Sequence, residues 1–345
     1  MKVLVTGSTG FIGGALCREL AAQGHEVHAF HRASSALRVL EDLPVVHVIG
    51  DLTQIETLLP AMQGIEVVFH AAALLGGNDD PGRMYAVTVE GTRSVLESAR
   101  KAGVRRVVHT SSVAALGVPE SGPVDTPCLL NESHTWNYLP ERWSYGYAKY
   151  LAELEVQKAV AEGQDIVIVN PSIVFGAGDV YRQTSSLVVQ VARHRLPALV
   201  EGGANFVHLQ DVIDGHLAAL EKGQCGERYI LGGENLTLVK AVEMAAGVVG
   251  AHPPLIVLPG RVARRLAGPA MLLRNILDLP VGPEFLYLAG KYFYYDSHKA
   301  QVELGLRSPR PVEEGMAQAY AWFQLVGALP KAKGIEPQID PDKGG

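Results

Sequence analysis

The chain has 345 residues, of which 48% are hydrophobic and 19% are charged, so it can bury a large core. Its formal net charge of −6 disfavours a nucleic-acid partner, and its three widely separated cysteines predict a reducing compartment without a structural metal. No apolar run approaches the roughly 18 residues of a membrane-spanning helix, and the first strand begins at once without a signal peptide, which predicts a cytoplasmic protein.

The chain opens with a short apolar strand, a glycine-rich turn and a helix. Residues 3–5 have the β-branched bias of a buried strand, and the helical period begins at Phe11. Gly7, Gly10 and Gly13 stand where the turn needs backbone without a Cβ, so that N–H groups at the helix N-terminus can face a pyrophosphate. The pattern predicts a dinucleotide-binding loop that uses Thr6, Gly7, Thr9, Gly10, Phe11, Ile12 and Gly13.

The end of the second predicted strand, residues 26–31, bears on the choice of dinucleotide. An acidic side chain there would bind the adenosine ribose hydroxyls and favour NAD. The sequence has Arg32 and two hydroxyl residues instead, which suit a 2′-phosphate, so NADP(H) is favoured and NAD(H) remains an alternative. In the other interpretation Arg32 is a solvated loop residue. The residues predicted to contact this end of the cofactor are His31, Arg32 and Ser35.

Further strands are predicted at residues 45–50, 67–69 and 107–110, with helices between them, one of which runs from Tyr85 to Arg100. This recurrence is typical of the α/β class with a doubly wound parallel sheet, the Rossmann fold. Small residues after the fourth strand would let a dinucleotide lie against the strand ends. The residues predicted to line the cofactor site there are Ala71, Ala72 and Ala73.

Hydroxyl residues at a strand end and a later tyrosine–lysine pair predict acid–base chemistry. Thr110, Ser111 and Ser112 end the fifth strand, at the carboxyl edge where such sheets bind ligands. Tyr145 and Lys149 are four residues apart in a helical pattern, so their side chains share one face. The ammonium is expected to lower the pKa of the phenol, Ser112 to bind a carbonyl oxygen, and Tyr145 to transfer the proton.

Together these motifs resemble the extended short-chain dehydrogenase/reductases of the NAD(P)-dependent epimerase/dehydratase type, over nearly the whole chain. Residues 145–153, with 131–136 upstream, are similar to dihydroflavonol reductases and cinnamoyl-CoA reductases. Residues 226–235 resemble a bacterial branch of hopanoid-associated sugar epimerases. The two resemblances imply different chemistry. Thr88 stands where the family usually has asparagine, although its hydroxyl can also donate and accept hydrogen bonds.

The resemblance also implies further contacts to the cofactor. Asp51 would lie beside the adenine amino group, Lys149 would reach the nicotinamide ribose, and the segment after a sixth strand at residues 165–169 would lie against the nicotinamide. The additional cofactor-binding residues are Leu52, Thr110, Pro171, Ser172, Ile173 and Val174.

The second half of the chain is predicted to form a smaller, interleaved substrate lobe. Residues 1–175 are predicted as the Rossmann domain, with a strand at 228–232 returning to it, 176–330 as the lobe and 331–345 as a loose tail. The segment 261–290 alternates arginines with apolar residues. That pattern favours packing within the lobe, with a membrane-surface helix or a cover over an apolar pocket as alternatives.

A bulky, largely apolar small molecule is the favoured substrate. A nucleotide sugar needs several cations for its diphosphate, and the candidates within residues 176–203 are Arg182, Arg193, His194 and Arg195. Substrate contacts are expected from Val113, Trp143 and Tyr181, within walls that also include Leu116, Val118, Trp136, Tyr138 and Phe175.

Three functions are left open. The favoured one is an NADP(H)-dependent oxidoreductase that interconverts a carbonyl and an alcohol. The others are a nucleotide-sugar epimerase and a non-catalytic dinucleotide-binding protein. A homodimer is compatible with each.

Overall fold

The computed structural model describes residues 1–74, 81–120, 127–181, 186–272 and 284–330. The strands are β1 Lys2–Thr6, β2 Glu26–His31, β3 Val45–Ile49, β4 Val67–His70, β5 Arg106–Thr110, β6 Leu129–Leu130, β7 Ile166–Pro171, β8 Ile173–Phe175, β9 Leu199–Val200, β10 Gly203–His208, β11 Arg228–Leu231, β12 Glu234–Thr237, β13 Val257–Leu258 and β14 Tyr292–Tyr295. The α-helices are α1 Phe11–Ala22, α2 Ile55–Ala61, α3 Pro81–Tyr85, α4 Gly91–Ala102, α5 Ser144–Ala161, α6 Ser186–Ala192, α7 Leu209–Lys222, α8 Leu238–Val249, α9 Gly260–Leu272, α10 Glu284–Tyr287, α11 His298–Leu304 and α12 Val312–Leu325.

Within the described residues, seven strands form a parallel sheet in the order β3-β2-β1-β4-β5-β7-β11. Apolar side chains pack on both faces, against α1 and α7 on one side and against α2, α4 and α5 on the other. The predicted doubly wound parallel sheet is therefore confirmed. Because the strand order reverses between β1 and β4, a crevice opens at their carboxyl ends, where such sheets bind ligands.

A second sheet lies beside the first and brings later parts of the chain toward the same edge. Its described strands run in the order β12-β10-β14-β6, with β8 paired to β10, while β9 and β13 form a separate pair. Helices α6, α8 and α12 pack against β8 and β10. Tyr295 of β14 donates its hydroxyl hydrogen to the carbonyl of Val113, just beyond β5 (3.4 Å), so the two sheets meet near the strand-terminal serines.

The helix predicted from Tyr85 to Arg100 lies within one helical run, residues 81–102, which contains a π-helical segment. A π-helical turn at Ala86–Glu90 separates α3 from α4. The Thr92 hydroxyl donates to the Thr88 carbonyl within this region (2.6 Å). Such turns are often found at functional sites, and this one follows the segment after β4.

Candidate active site

The glycine-rich turn joins β1 to α1, and close backbone packing demands its glycines. Gly7 has a φ of 68°, and a Cβ there would lie 2.8 Å from backbone atoms of Ala72. A Cβ on Gly13 would collide with the Gly7 carbonyl oxygen. No side chain of the described residues caps the N-terminus of α1 at Gly10. The open, narrow helix end therefore fits a pyrophosphate. Other residues predicted for this loop occupy the turn and the start of α1: Thr9, Phe11 and Ile12.

A buried polar chain supports this loop from within the sheet. The Thr6 hydroxyl lies 2.7 Å from Nδ1 of His70, and His70 Nε2 lies 3.0 Å from the Thr92 hydroxyl. Because that hydroxyl donates its hydrogen to the Thr88 carbonyl, His70 Nε2–H donates to Thr92 and Nδ1 accepts from Thr6. The Thr6 side chain is thus committed to His70. Any contribution of Thr6 to cofactor binding comes from its backbone.

The residues predicted for the adenosine end lie at the adjacent carboxyl ends of β2 and β3. His31 is buried, with Nε2 3.1 Å from Nδ1 of His47 and Nδ1 donating to the carbonyl of Arg32 (3.0 Å). The Arg32 side chain is exposed, and the backbone N–H of Ser35 donates to its carbonyl (3.0 Å). The structure therefore leaves the guanidinium accessible at this edge.

Asp51 is engaged locally after β3. One of its carboxylate oxygens accepts hydrogen bonds from the backbone N–H and the hydroxyl of Thr53, at 2.9 and 2.8 Å. Leu52 is buried in the layer between the sheet and α4. Asp51 thus closes a turn at the strand end.

The alanines after β4 and the segment after β7 line the central crevice edge. The Ala71 N–H donates to the Thr6 carbonyl at 3.3 Å, and the Ser172 N–H donates to the Leu231 carbonyl at 3.2 Å. The Ser172 hydroxyl is buried without a partner among the described residues. The other predicted residues of these segments are Ala72 and Ala73, which are half-buried, Pro171, and Ile173 and Val174, which pack into apolar clusters.

Three predicted catalytic residues converge at the end of β5. Ser112 begins a 3-10 turn, where its Oγ accepts from the Ala114 N–H (3.2 Å), and its side chain hydrogen-bonds that of Tyr145. Tyr145 and Lys149 lie four residues apart on α5. The Lys149 ammonium, 4% exposed, donates to the carbonyl of Thr110 at 3.0 Å. The three side chains are thus gathered around one strand end.

The expected effect of Lys149 on Tyr145 is wrong for this structure. Burial raises the pKa of Tyr145 to about 12, and the hydrogen bond with Ser112 lowers it by a smaller amount. Burial also lowers the pKa of Lys149 to about 8, against the opposing charge of Glu153. The physical reason is desolvation, which disfavours both charged forms. Tyr145 is therefore a protonated phenol at neutral pH, suited to donating a proton.

A polar network that our sequence analysis missed holds these elements together. The Asn170 amide donates to the Ser112 carbonyl at 2.9 Å and to the Glu153 carboxylate at 2.7 Å. The other oxygen of Glu153 pairs with Arg228 of β11 at 3.1 Å. Glu153 lies four residues after Lys149, as Lys149 lies four residues after Tyr145, so the sequence could have predicted that all three share one face of α5. No sequence pattern could have predicted the contacts of Asn170 and Arg228 with Glu153, because those residues lie on the distant strands β7 and β11.

A second hidden contact involves α7. The buried His216 donates from Nδ1 to the carbonyl of Val212 at 2.7 Å, so its Nε2 accepts from the Thr110 hydroxyl at 2.9 Å. Thr110 therefore contacts Lys149 through its carbonyl and α7 through its side chain. Any contact of Thr110 with the cofactor would therefore come from its backbone rather than from its hydroxyl.

An aromatic cluster adjoins Tyr145 on the side of the second sheet. Trp143 is buried, with its ring 5.9 Å from that of Trp136 and 5.6 Å from that of Phe293. Gly146 lies between the two indoles, since a Cβ there would be 2.7 Å from Trp136 and 2.9 Å from Trp143. The cluster also contains Ala114, Val118, Tyr138, Tyr145 and Leu288.

Several predicted substrate residues lie elsewhere. Leu116 and Phe175 are fully buried in other apolar clusters, so neither can form a pocket wall. Val113 packs with Leu130 and Tyr295, and its side chain is mostly occupied by that contact. Tyr181 is 51% exposed and is not among the aromatic cluster's residues.

The predicted cations do not form a described diphosphate site. Arg182 lies outside the described residues. Arg193, His194 and Arg195 follow the end of α6, where the Arg193 guanidinium donates to the Ala328 carbonyl at 2.8 Å.

In the part of the chain that the structure describes, no cluster of His, Cys, Asp and Glu could hold a metal, and no helix is long and apolar enough to cross a membrane.

Comparisons with known proteins agree with this geometry. The sequence model of the NAD dependent epimerase/dehydratase family matches residues 3–232. The chain is 36% identical to "Putative dihydroflavonol 4-reductase" from Synechocystis sp., over 94% of each chain. It is 34% identical to sterol demethylase protein B from Methylococcus capsulatus, over 95% of this chain and all of that one. The crystal structure of gox2253 superposes with a TM-score of 0.82 at 35% identity, covering 95% of this chain and 99% of that one.

Proposed function

The chain belongs to the NAD-dependent epimerase/dehydratase family, and we propose that it reduces a largely apolar ketone or aldehyde with NADPH. It is an NAD(P)-dependent oxidoreductase of the extended short-chain dehydrogenase type. The reverse oxidation of the alcohol uses the same groups. The observation that carries the proposal is the contact of Ser112 with Tyr145 beside an aromatic cluster.

Each residue of the chain has a defined task in this proposal. Ser112 donates a hydrogen bond to the substrate carbonyl oxygen, and Tyr145 delivers its proton to that oxygen. The Lys149 ammonium, which the Thr110 carbonyl holds, donates a hydrogen bond to the nicotinamide ribose when the dinucleotide is bound. Asn170 positions Ser112 against α5 through its two donated hydrogen bonds. The dinucleotide supplies the hydride when it is bound.

NADPH is favoured over NADH because of the edge formed by β2 and β3. The exposed Arg32 guanidinium is available to a 2′-phosphate, while one carboxylate oxygen of Asp51, after β3, accepts two hydrogen bonds from Thr53. A planar cation that can donate two hydrogen bonds suits a phosphate better than a ribose hydroxyl.

The substrate class follows from the wall next to Tyr145. Trp136 and Phe293, both half-buried, present ring surface beside the buried Trp143, and burying a ring system against them gains about 25 cal/mol per Å². A diphosphate against these rings would be poorly paired, because the neighbouring cations are engaged: Arg142 lies over the Tyr287 ring and Lys291 donates to the Pro119 carbonyl. The two curated relatives are named for a dihydroflavonol and a sterol, which both contain fused rings. Homodimer formation and a cytoplasmic location stay predictions.

The test compares two tyrosines of the same helix. Purified protein is assayed by NADPH absorbance against a panel of aromatic and polycyclic ketones, as wild type, Tyr145→Phe and Tyr147→Phe. We expect Tyr145→Phe to lower kcat by about 10²–10⁴-fold, since general acid catalysis is lost, with NADPH affinity nearly unchanged. Tyr147 packs against Trp136 and stacks on Tyr150 through its ring, which phenylalanine keeps, so Tyr147→Phe should retain most of the rate.

Two results would contradict the proposal. A Tyr145→Phe enzyme with more than about a tenth of the wild-type rate would exclude the acid role, because the expected loss is far larger. Tight calorimetric binding of UDP and UDP-sugars to the NADP⁺-loaded protein, with epimerisation and no ketone reduction, would establish the epimerase alternative instead.

A further inference from the structure

Apolar side chains near the start of α9 are exposed to solvent in the described part of the chain. Leu255 is 97% exposed, and Ile256 and Val257, which follow it, are 58% and 44% exposed. On α9 itself, Val262 and Leu266 are four residues apart and are 44% and 50% exposed. Several large apolar side chains exposed within twelve residues of sequence are a candidate interaction site. We call residues 255–257 with Val262 and Leu266 the α9 surface.

The α9 helix is attached to the molecule by small residues and backbone. It turns Ala263 and Ala267 inward, both fully buried, so its larger apolar side chains are left for the outside. Gly260 packs directly against Gly290, and the Arg264 guanidinium donates to the carbonyl of Ala289. The helix is therefore held firmly with its apolar stripe facing away from the core.

Basic residues flank this stripe in an otherwise acidic chain. Residues 251–272 contain three arginines and no aspartate or glutamate, whereas the whole chain has a formal net charge of −6. Arg261 and Arg265 are exposed and four residues apart, on the helix face beside Val262 and Leu266. A helix with an apolar stripe bordered by arginines matches helices that lie in the interface of an anionic bilayer.

We propose that the α9 surface docks on an anionic lipid bilayer, with α9 in the headgroup region and its apolar side chains in the acyl boundary. In the described part of the segment 261–290, the arginines and apolar residues of α9 thus serve a membrane contact as well as packing within the lobe. This goes beyond the proposed reductase activity and does not depend on it, since lipid binding is measured without substrate.

The position of this surface gives it a use in catalysis. Helix α10 packs against α9, and its Tyr287 carbonyl accepts from the Tyr138 hydroxyl at 3.3 Å. Leu288, next along the chain, lies in the same cluster as Trp143. The α9 surface is therefore one short element away from the aromatic wall. A substrate dissolved in the bilayer would reach that wall with little travel through water.

Vesicle binding tests the proposal directly. Wild-type protein is floated with phosphatidylcholine vesicles that either contain or lack phosphatidylglycerol, at low and high NaCl. We expect binding to the anionic vesicles only, weakened by salt. Val262→Ser with Leu266→Ser should lower the partition coefficient about tenfold or more. Arg261→Gln with Arg265→Gln should lower it about thirtyfold, since each arginine near an anionic surface contributes about 1 kcal/mol.

The matched control is Val302→Ser with Leu325→Ser, which removes two side chains that are 65% and 80% exposed on other helices. It should bind like wild type. Equal binding of the α9 variants and wild type, or no salt-sensitive binding of wild type, would overturn the proposal. A wild-type dimer in sedimentation that the α9 variants dissociate would also overturn it, because a second copy would then be the occupant.

Discussion

Buried histidines around the site should make the protein less stable in mild acid. Burial, with a smaller effect of the Lys149 charge, lowers the pKa of His70 to about 3. Burial lowers that of His216 to about 4, although its hydrogen bond to Val212 opposes this. Both values lie below the roughly 6.5 of the unfolded chain, so the unfolded state binds protons first as the pH falls. Their stabilisation is complete above about pH 6.5 and is lost between there and the folded pKa.

The magnitude follows from these values. At about pH 5.5, one unit below the unfolded pKa, each histidine lowers the free energy of unfolding by about 1.4 kcal/mol relative to neutral pH. His70 and His216 together remove about 3 kcal/mol, a large fraction of the roughly 5–15 kcal/mol of a typical domain. The pKa of His109 is also lowered by burial, so it adds in the same direction.

Urea unfolding followed by tryptophan fluorescence, at about pH 7.5 and about pH 5.5, measures this loss. His216→Gln should show a loss smaller by about 1.4 kcal/mol, since glutamine does not titrate, and His70→Gln should behave likewise. His252 is exposed, so His252→Gln is the control and should match wild type. An undiminished acid loss in both buried variants would refute the argument that these imidazoles are held neutral.

Three further predictions concern the site. Arg32→Ala should weaken NADPH binding about tenfold with little change for NADH, as measured by fluorescence titration; equal losses would remove Arg32 from phosphate recognition. Gly13→Ala should abolish binding of either dinucleotide, because the new methyl collides with the Gly7 carbonyl; a circular-dichroism spectrum like that of wild type would separate this from global unfolding. The rate of reduction should fall above about pH 8, where Lys149 loses its proton while Tyr145 keeps its own. Lys149→Arg should move that fall to higher pH, and an unchanged profile would exclude Lys149 as its source.

Local patterns were sufficient for much of the fold and for the core of the site. The second strand was predicted at its observed bounds, Glu26–His31, because alternation and β-branched residues act over a few neighbours. The spacing of Tyr145 and Lys149 predicted a shared helix face, since that depends on the helical repeat alone. By contrast, the hydrogen bond between Thr92 and His70 had no local signal, because it joins α4 to the end of β4.

The sequence by itself determined the doubly wound sheet, the glycine loop and the residues offered for acid–base chemistry, because each is written in spacing along one element. Only the tertiary structure decided that the pKa of Tyr145 is raised, and that the Thr6 hydroxyl binds His70. The same holds for the hydrogen bonds from Asn170 to Ser112 and Glu153. These depend on burial and on partners from distant strands. Desolvation and long-range hydrogen bonds arise only when the elements pack, so no local pattern could contain them.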